Sequence, residues 1–113
     1  MAAIGGRVVL VSVSGELDLY VEREMREALE AAEALGAPAA VVDLSGVTFM
    51  DSTICGVLVR EVKRRHRDGS ELVLVSNGPR TRRVLEVSGI DQLVAVYPTL
   101  HLAFQELLLE PVA

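Results

Sequence analysis

Two short polar stretches hold the side chains most able to carry chemistry. One is the run from Asp51 to Thr53, directly before an apolar helical pattern, and the other is the run from Gly15 to Asp18, directly after a strand pattern. Small polar residues at a helix start ordinarily cap the helix, because their side-chain oxygens accept hydrogen bonds from unpaired N–H groups. Local physics alone therefore favours a cap formed by Asp51, Ser52 or Thr53, and a turn at Asp18 that leads into a helix.

A second interpretation gives Ser52 a regulatory role. A helix N-terminus has unpaired N–H groups and the positive end of the helix dipole, so it tolerates a phosphate. A phosphate on Ser52 would add a charge of about −1.5 to −2 beside Asp51, and a docking partner would meet a changed surface on an unchanged fold. If the two preceding strands are parallel neighbours, Asp18 lies close to this segment and the two stretches form one site.

The elements that must position these residues alternate between strands and helices. Such alternation indicates an α/β fold with a mixed, mostly parallel sheet of four or five strands, covered by about four helices. Function in such folds tends to sit in loops beyond the carboxyl ends of strands, and residues 14–18 and 45–53 are predicted as such loops. The predicted strands cover residues 8–13, 39–44, 72–75 and 93–96, and the predicted helices cover residues 20–35, 54–67 and 79–89 and a last segment capped by Thr99.

Length and charge restrict the classes of function. A chain of 113 residues predicts one domain over residues 1–113. The net charge of −5 and the absence of Trp argue against a nucleic-acid partner. Apolar runs fall short of the roughly 20 residues that span a bilayer, and the N-terminus lacks the pattern of a signal peptide. We therefore expect a cytoplasmic protein with no membrane partner.

The sequence also argues against catalysis and metal binding. His66 and His101 are far apart and have no paired ligands nearby, so no metal site is expected. Ser52 lacks the Gly-x-Ser-x-Gly setting of a hydrolase nucleophile, and no phosphate-binding glycine motif is present. Cys55 falls among apolar helical positions and is interpreted as a core residue. The arginine-rich segments 60–67 and 80–83 are interpreted as solvated faces, with a surface for an acidic partner as the alternative.

An ordered set of motifs resembles the STAS family, and most closely its stand-alone bacterial anti-sigma factor antagonists. The resemblance covers nearly the whole chain and implies the STAS fold and a binding protein that is not an enzyme and has no cofactor. The motifs are Gly15-Glu16-Leu17-Asp18, then Phe49-Met50-Asp51-Ser52-Thr53 with Gly56-Val57-Leu58, and then Ser88-Gly89-Ile90.

The resemblance also implies roles for single residues. Ser52 matches the phosphorylated serine of the family, and Thr53 is a second candidate acceptor. Asp18 matches the aspartate that is tied to recognition by the kinase, and Asp51 matches the acidic residue before the acceptor. Gly56 is expected to let its helix pack closely, and all five residues are expected to form the partner-binding site.

The activity that the resemblance implies is a phosphorylation switch. The unphosphorylated antagonist binds an anti-sigma factor and so frees a sigma factor for transcription. The anti-sigma factor is a serine kinase that uses ATP and magnesium, and its phosphorylation of the antagonist ends the binding. A phosphatase acting on phospho-Ser52 would restore binding, and the resemblance favours a monomer.

The sequence departs from the family pattern in two places. Members usually have Gly-Leu-Gly after the acceptor region, whereas this chain has Ile54-Cys55-Gly56, which places a β-branched residue where the partner's chain would approach. This departure motivates an alternative, a STAS scaffold that does not switch or a module that senses a small ligand such as a nucleotide. The segment before Arg7 is short, so a first edge strand is expected to be abbreviated or absent.

Overall fold

The described part of the chain forms one five-stranded sheet. The structure is a computed structural model that describes residues 2–4 and 6–109. Strands β2 to β5 are parallel in sequence order, and β1 pairs antiparallel with β2 at one edge, which confirms the predicted mixed, mostly parallel sheet. The strands are β1 (Ala2–Ile4), β2 (Val8–Leu17), β3 (Ala39–Met50), β4 (Glu71–Val75) and β5 (Val96–Tyr97), so the first edge strand is indeed short.

Within the described residues, four helices cover the two faces of this sheet, as predicted. They are α1 (Glu22–Ala34), α2 (Ser52–Arg67), α3 (Pro79–Ser88) and α4 (Leu100–Leu109), with short 3-10 turns at Leu19–Val21 and Ile90–Gln92. Helices α1 to α3 each connect neighbouring parallel strands, and the right-handedness of such crossovers places all three on one face. Alternate strand residues pack on opposite faces of the sheet. Those on the face of α1 to α3 include Val9, Val42 and Leu74. Those on the face of α4 include Val8, Val41 and Val73.

Both predicted loops beyond the strand ends are wrong, because the strands continue through them. Pairing of β2 with β3 extends to Leu17 and Met50, across register shifts on either side of the Ser14–Gly15 segment. Gly15 adopts φ +81°, which few other residues tolerate. A Cβ atom on Gly46 would lie 2.9 Å from the Cβ of Ser14, so only glycine permits this close approach. The glycines that indicated loops in the sequence instead allow two irregular strands to stay paired.

The predicted last strand at residues 93–96 is also displaced. The chain is still turning at Leu93, because the carbonyl of Ile90 accepts hydrogen bonds from the N–H groups of Leu93 and Val94. The observed β5 begins only at Val96 and ends at Tyr97. The helix ends follow the predictions more closely: Gly89 adopts φ +80° after α3, and the Thr99 hydroxyl accepts the N–H of Leu102 at 3.2 Å.

The basic end of α2 is not entirely a solvated face, in contrast to the sequence interpretation. Arg65 is 2% exposed, and its Nε donates to Oε1 of the equally buried Glu61 at 3.1 Å. Arg64 bonds to the other oxygen of Glu61 and, at 2.7 Å, to Glu33 on α1. One buried carboxylate therefore ties the last turns of α2 to one another and, through Arg64, to α1.

Within the described residues, no helix has the length and apolar character needed to cross a membrane.

Loss of the buried carboxylate should destabilise the protein. We expect Glu61→Ala to lower the free energy of unfolding by about 3 kcal/mol, because it leaves Arg65 buried without its partner. Urea denaturation followed by circular dichroism measures this loss. The matched control, Glu86→Ala, removes an exposed partner 3.9 Å from Arg83 and should change stability by less than about 0.5 kcal/mol.

A double replacement separates the ion pair from the space that it fills. Glu61→Leu combined with Arg65→Met should recover most of the lost stability, because both side chains are buried and apolar groups of similar volume can substitute for a buried pair. Equal stability of Glu61→Ala and Glu86→Ala would contradict the structural role of Glu61.

Candidate functional site

The carboxyl ends of β2 and β3 bring the two polar stretches together. Leu17 and Met50 are register partners, and the N–H of Asp51 donates to the carbonyl of Leu17 at 3.1 Å. Asp18 and Asp51 therefore each follow directly on one of two hydrogen-bonded strand ends. The predicted neighbourhood of these two residues is found in the structure, although it comes from extended strands rather than from loops.

Asp51 is the residue that caps α2. Its Oδ1 accepts hydrogen bonds from the N–H groups of Thr53 at 3.0 Å and Ile54 at 3.2 Å. Its own carbonyl accepts the N–H of Cys55 at 3.2 Å, which is the first regular helical bond. Two of the N–H groups at the start of α2 that could otherwise bind a phosphate are therefore already hydrogen-bonded to the carboxylate of Asp51.

Ser52 is the first residue of α2 and its side chain is exposed. The hydroxyl makes no hydrogen bond to any residue that the structure describes. Thr53 is half-buried, and its N–H is held by Asp51. Of the two candidate acceptors, Ser52 is thus the more accessible to an approaching enzyme.

Asp18 has a capping role of its own. Its Oδ1 accepts the N–H of Tyr20 at 3.0 Å, and this bond starts the 3-10 turn Leu19–Val21 that leads into α1. The side chain remains only half-buried. The turn that was predicted at Asp18 is present, and one carboxylate oxygen fixes it.

Sequence reasoning missed the exposure of three apolar side chains that lie within two residues of one or other of these acidic residues. Leu19 and Tyr20 follow Asp18 directly, and Phe49 lies two residues before Asp51; all three are exposed. Their sequence signal was weak, because Tyr20 fits the start of a helical pattern and Phe49 fits the end of a strand. Only the structure shows that these residues face solvent.

Comparison with known proteins places the chain in a family. A family model described as the STAS domain matches residues 1–103. The chain belongs to the STAS domain family. It is 34% identical over 86 residues to the anti-sigma-B factor antagonist of Listeria monocytogenes, a match that covers 76% of this chain and 75% of that protein.

Solved STAS structures agree with this assignment and with the resemblance seen in the motifs. The crystal structure of an anti-sigma factor antagonist from Mycobacterium paratuberculosis has a TM-score of 0.86 and 33% identity, over 94% of this chain and 89% of that one. The anti-sigma factor antagonist SpoIIAA in its unphosphorylated form shares the fold, with a TM-score of 0.79 and 18% identity over 99% and 96% of the two chains.

The residue that departs from the STAS pattern lies in the core. The side chain of Ile54 is fully buried, so the expectation that it stands where a partner's chain approaches is wrong. Cys55 is buried beside it, as predicted, and burial raises the pKa of its thiol, which disfavours the reactive thiolate. The change from glycine therefore adds to the hydrophobic core of this STAS domain and leaves its outer surface unaltered.

Gly56 lies one helical turn after Ser52, on the same side of α2, and is half-buried. A Cβ atom at this position would meet only Nη1 of Arg60, at an ordinary 3.8 Å. The expectation that Gly56 permits close packing of its helix is therefore wrong within the described residues.

No candidate metal centre accompanies the site. Within residues 2–4 and 6–109, no group of three or more His, Cys, Asp or Glu side chains could hold a metal ion. The two histidines, His66 and His101, are both exposed and belong to different helices. The site that the described residues form holds the exposed hydroxyl of Ser52, which directly follows the capping carboxylate of Asp51.

Removal of the α2 cap tests the assignment of Asp51. We expect Asp51→Ala to lower the free energy of unfolding by about 1 kcal/mol, because two N–H groups lose their acceptor. Asp51→Asn should keep most of that stability, since its amide oxygen can accept the same bonds. Chemical denaturation measures both changes, with the exposed Ser52→Ala as the control that should stay within about 0.5 kcal/mol of wild type. Equal stability of Asp51→Ala and Ser52→Ala would contradict the cap.

A methyl group at Gly56 tests whether α2 needs glycine at this position. Gly56→Ala should raise the free energy of unfolding by about 0.5 to 1 kcal/mol, because alanine favours the helix interior and the site has room for it. Gly46→Ala is the matched control and should destabilise the protein, since its methyl group would collide with Ser14. The melting temperature should rise in Gly56→Ala and fall in Gly46→Ala, relative to wild type. A lower melting temperature in Gly56→Ala would show that the helix needs this glycine.

Proposed function

We propose that this STAS domain is an anti-sigma factor antagonist, which binds an anti-sigma factor kinase and frees a sigma factor until Ser52 is phosphorylated. The carrying observation is an exposed serine hydroxyl in the first residue of α2, directly after Asp51, at the end of the sheet where β2 and β3 stop side by side. The names of the Listeria and mycobacterial relatives, at 34% and 33% identity, support the same role. The partner-binding site comprises Asp18, Asp51, Ser52, Thr53 and Gly56.

The proposed switch acts on the surface rather than on the fold. Asp51 caps α2 without help from the Ser52 side chain, so phosphate transfer leaves the helix start in place. The phosphate adds a charge of about −1.5 to −2 beside the carboxylate of Asp51. A partner that accommodates a neutral hydroxyl there must then accommodate a concentrated negative charge. Affinity for the anti-sigma factor falls while the protein stays folded.

The reversible cycle needs two enzymes, both external to this chain. The anti-sigma factor supplies the kinase, with ATP as the phosphoryl donor and magnesium as the kinase's own cofactor. A phosphatase hydrolyses phospho-Ser52 and restores the binding form. In this proposal the antagonist acts in the cytoplasm as a monomer, and Asp18 is part of the surface that the kinase recognises.

Phosphorylation and binding are tested separately. The protein is incubated with ATP, magnesium and each anti-sigma factor kinase of the source organism, and its intact mass and phosphopeptides are determined. One phosphate on Ser52 is expected, with none on Ser52→Ala and unchanged transfer to Thr53→Ala. Absence of transfer from every kinase would contradict the switch.

Binding variants measure the effect of charge. Ser52→Ala should bind the anti-sigma factor as wild type does, and Ser52→Asp should bind about tenfold or more weakly, which corresponds to about 1.4 kcal/mol. Ser45→Asp adds the same charge at an exposed β3 position and is the matched control. If Ser52→Asp binds as tightly as wild type, negative charge at this position is not what ends binding.

A cleft between α1 and α2 favours a second candidate function, that of a module which senses a small anionic ligand. The cleft has a volume of about 360 Å³ and is lined by five cationic side chains and two carboxylates. Pyrophosphate and ATP are suitable probes. A rise in melting temperature that is lost in a Lys63→Glu variant, together with no phosphorylation of Ser52, would favour sensing over switching.

A further inference from the structure

Three large apolar side chains near Ser52 in the fold are exposed to solvent. Tyr20 is 90% exposed, Leu19 is 62% exposed and Phe49 is 52% exposed. Exposed aromatic and leucine side chains are costly to leave in water, and aromatic anchors are typical of binding hot spots. These three side chains lie within three residues of either Asp18 or Asp51.

The strand pairing holds the three side chains on one edge of the molecule. Leu19 and Tyr20 belong to the 3-10 turn that Asp18 caps, directly after the end of β2. Phe49 lies at the end of β3, where its register partner is Glu16 of β2. Because β2 and β3 are hydrogen-bonded neighbours, the turn and Phe49 flank the same strand ends from which α2 begins at Ser52.

A concavity beside Phe49 offers a place for an apolar group. It has a volume of about 360 Å³ and is lined by Phe49, Met50 and Val84, with the charged side chains of Glu16 and Arg80 among its remaining residues. The two threonines Thr48 and Thr81 complete its lining, so apolar and polar groups are mixed, as in sites where a few polar groups orient a bound group.

We propose that Leu19, Tyr20 and Phe49 are the apolar anchor of the partner interface and determine its affinity. The proposal rests on the proposed function and commits to the anti-sigma factor as the occupant. Glu16, Asp18 and Asp51 place three carboxylates at this edge, where they outnumber the Arg80 guanidinium that lines the same concavity as Glu16, and the chain has a net charge of −5. The complementary surface of the anti-sigma factor is therefore an apolar centre with flanking Lys or Arg side chains.

Alanine substitutions test the anchor. Tyr20→Ala, Leu19→Ala and Phe49→Ala are compared with wild type for the dissociation constant of the anti-sigma factor complex, measured by calorimetry. Tyr20→Ala and Phe49→Ala should each weaken binding by about tenfold or more, which is the usual effect of truncating a hot-spot aromatic residue. Their melting temperatures should stay close to that of wild type, because the removed groups face solvent.

Leu35→Ala is the matched control for Leu19→Ala. Leu35 is 53% exposed but directly follows the last residue of α1, about 20 Å along the helix axis from the first. Its substitution should leave the dissociation constant within about twofold of wild type.

The outcomes separate the anchor from the switch. Suppose that wild type binds the anti-sigma factor and is phosphorylated on Ser52, while the dissociation constants of all three anchor variants stay within twofold of the wild-type value. The anchor proposal is then wrong and the proposed function stands. If wild type binds no anti-sigma factor of the source organism, both proposals fail. Weaker binding of the anti-sigma factor by the anchor variants, with unchanged binding by Leu35→Ala, supports the anchor proposal.

Discussion

The parallel pairing of β2 with β3, carried as far as Leu17 and Met50, is the constraint on which the rest of the site depends. The hydrogen bond from the N–H of Asp51 to the carbonyl of Leu17 closes this pairing at its last step. It fixes where β2 ends and the turn before α1 begins, and where β3 ends and α2 begins. Because both departures occur at neighbouring positions, two carboxylates 33 residues apart in sequence become one surface.

The topology leaves this edge of the sheet open to partners. Helices α1 to α3 lie on one face and α4 on the other, and the core extends to the strand ends at Leu17 and Met50, while the side chain of Ser52 just beyond is exposed. Asp51 completes the start of α2, and the buried Glu61–Arg65 pair holds its final turns. The helix that carries Ser52 is thus fixed at both ends by groups other than Ser52, and a modification of Ser52 does not have to disturb it.

The sequence predicted the fold well where local chemistry decides and poorly where long-range pairing decides. The αL position of Gly89 and the cap by Thr99 follow from neighbouring residues and were predictable. The continuation of β2 past Gly15 was not predictable, because glycine is depleted in strand interiors and only the partner strand shows that it permits a bulge here. The burial of Arg65 escaped for a similar reason: its i, i+4 spacing from Glu61 reads equally well as an exposed ion pair.

The same distinction explains why the acidic residues of the site were found from sequence while its apolar residues were not. A carboxylate before a helix has one obvious local use, whereas an aromatic residue is ordinarily assigned to the core. The combination matters physically. Under the proposed switch, a phosphate on exposed Ser52 of the free protein would be surrounded by water and cost little, but in a complex closed by apolar side chains the same charge would lose its hydration. The free energy of phosphorylation then differs between the two states, and a differential of this kind is what any binding switch requires.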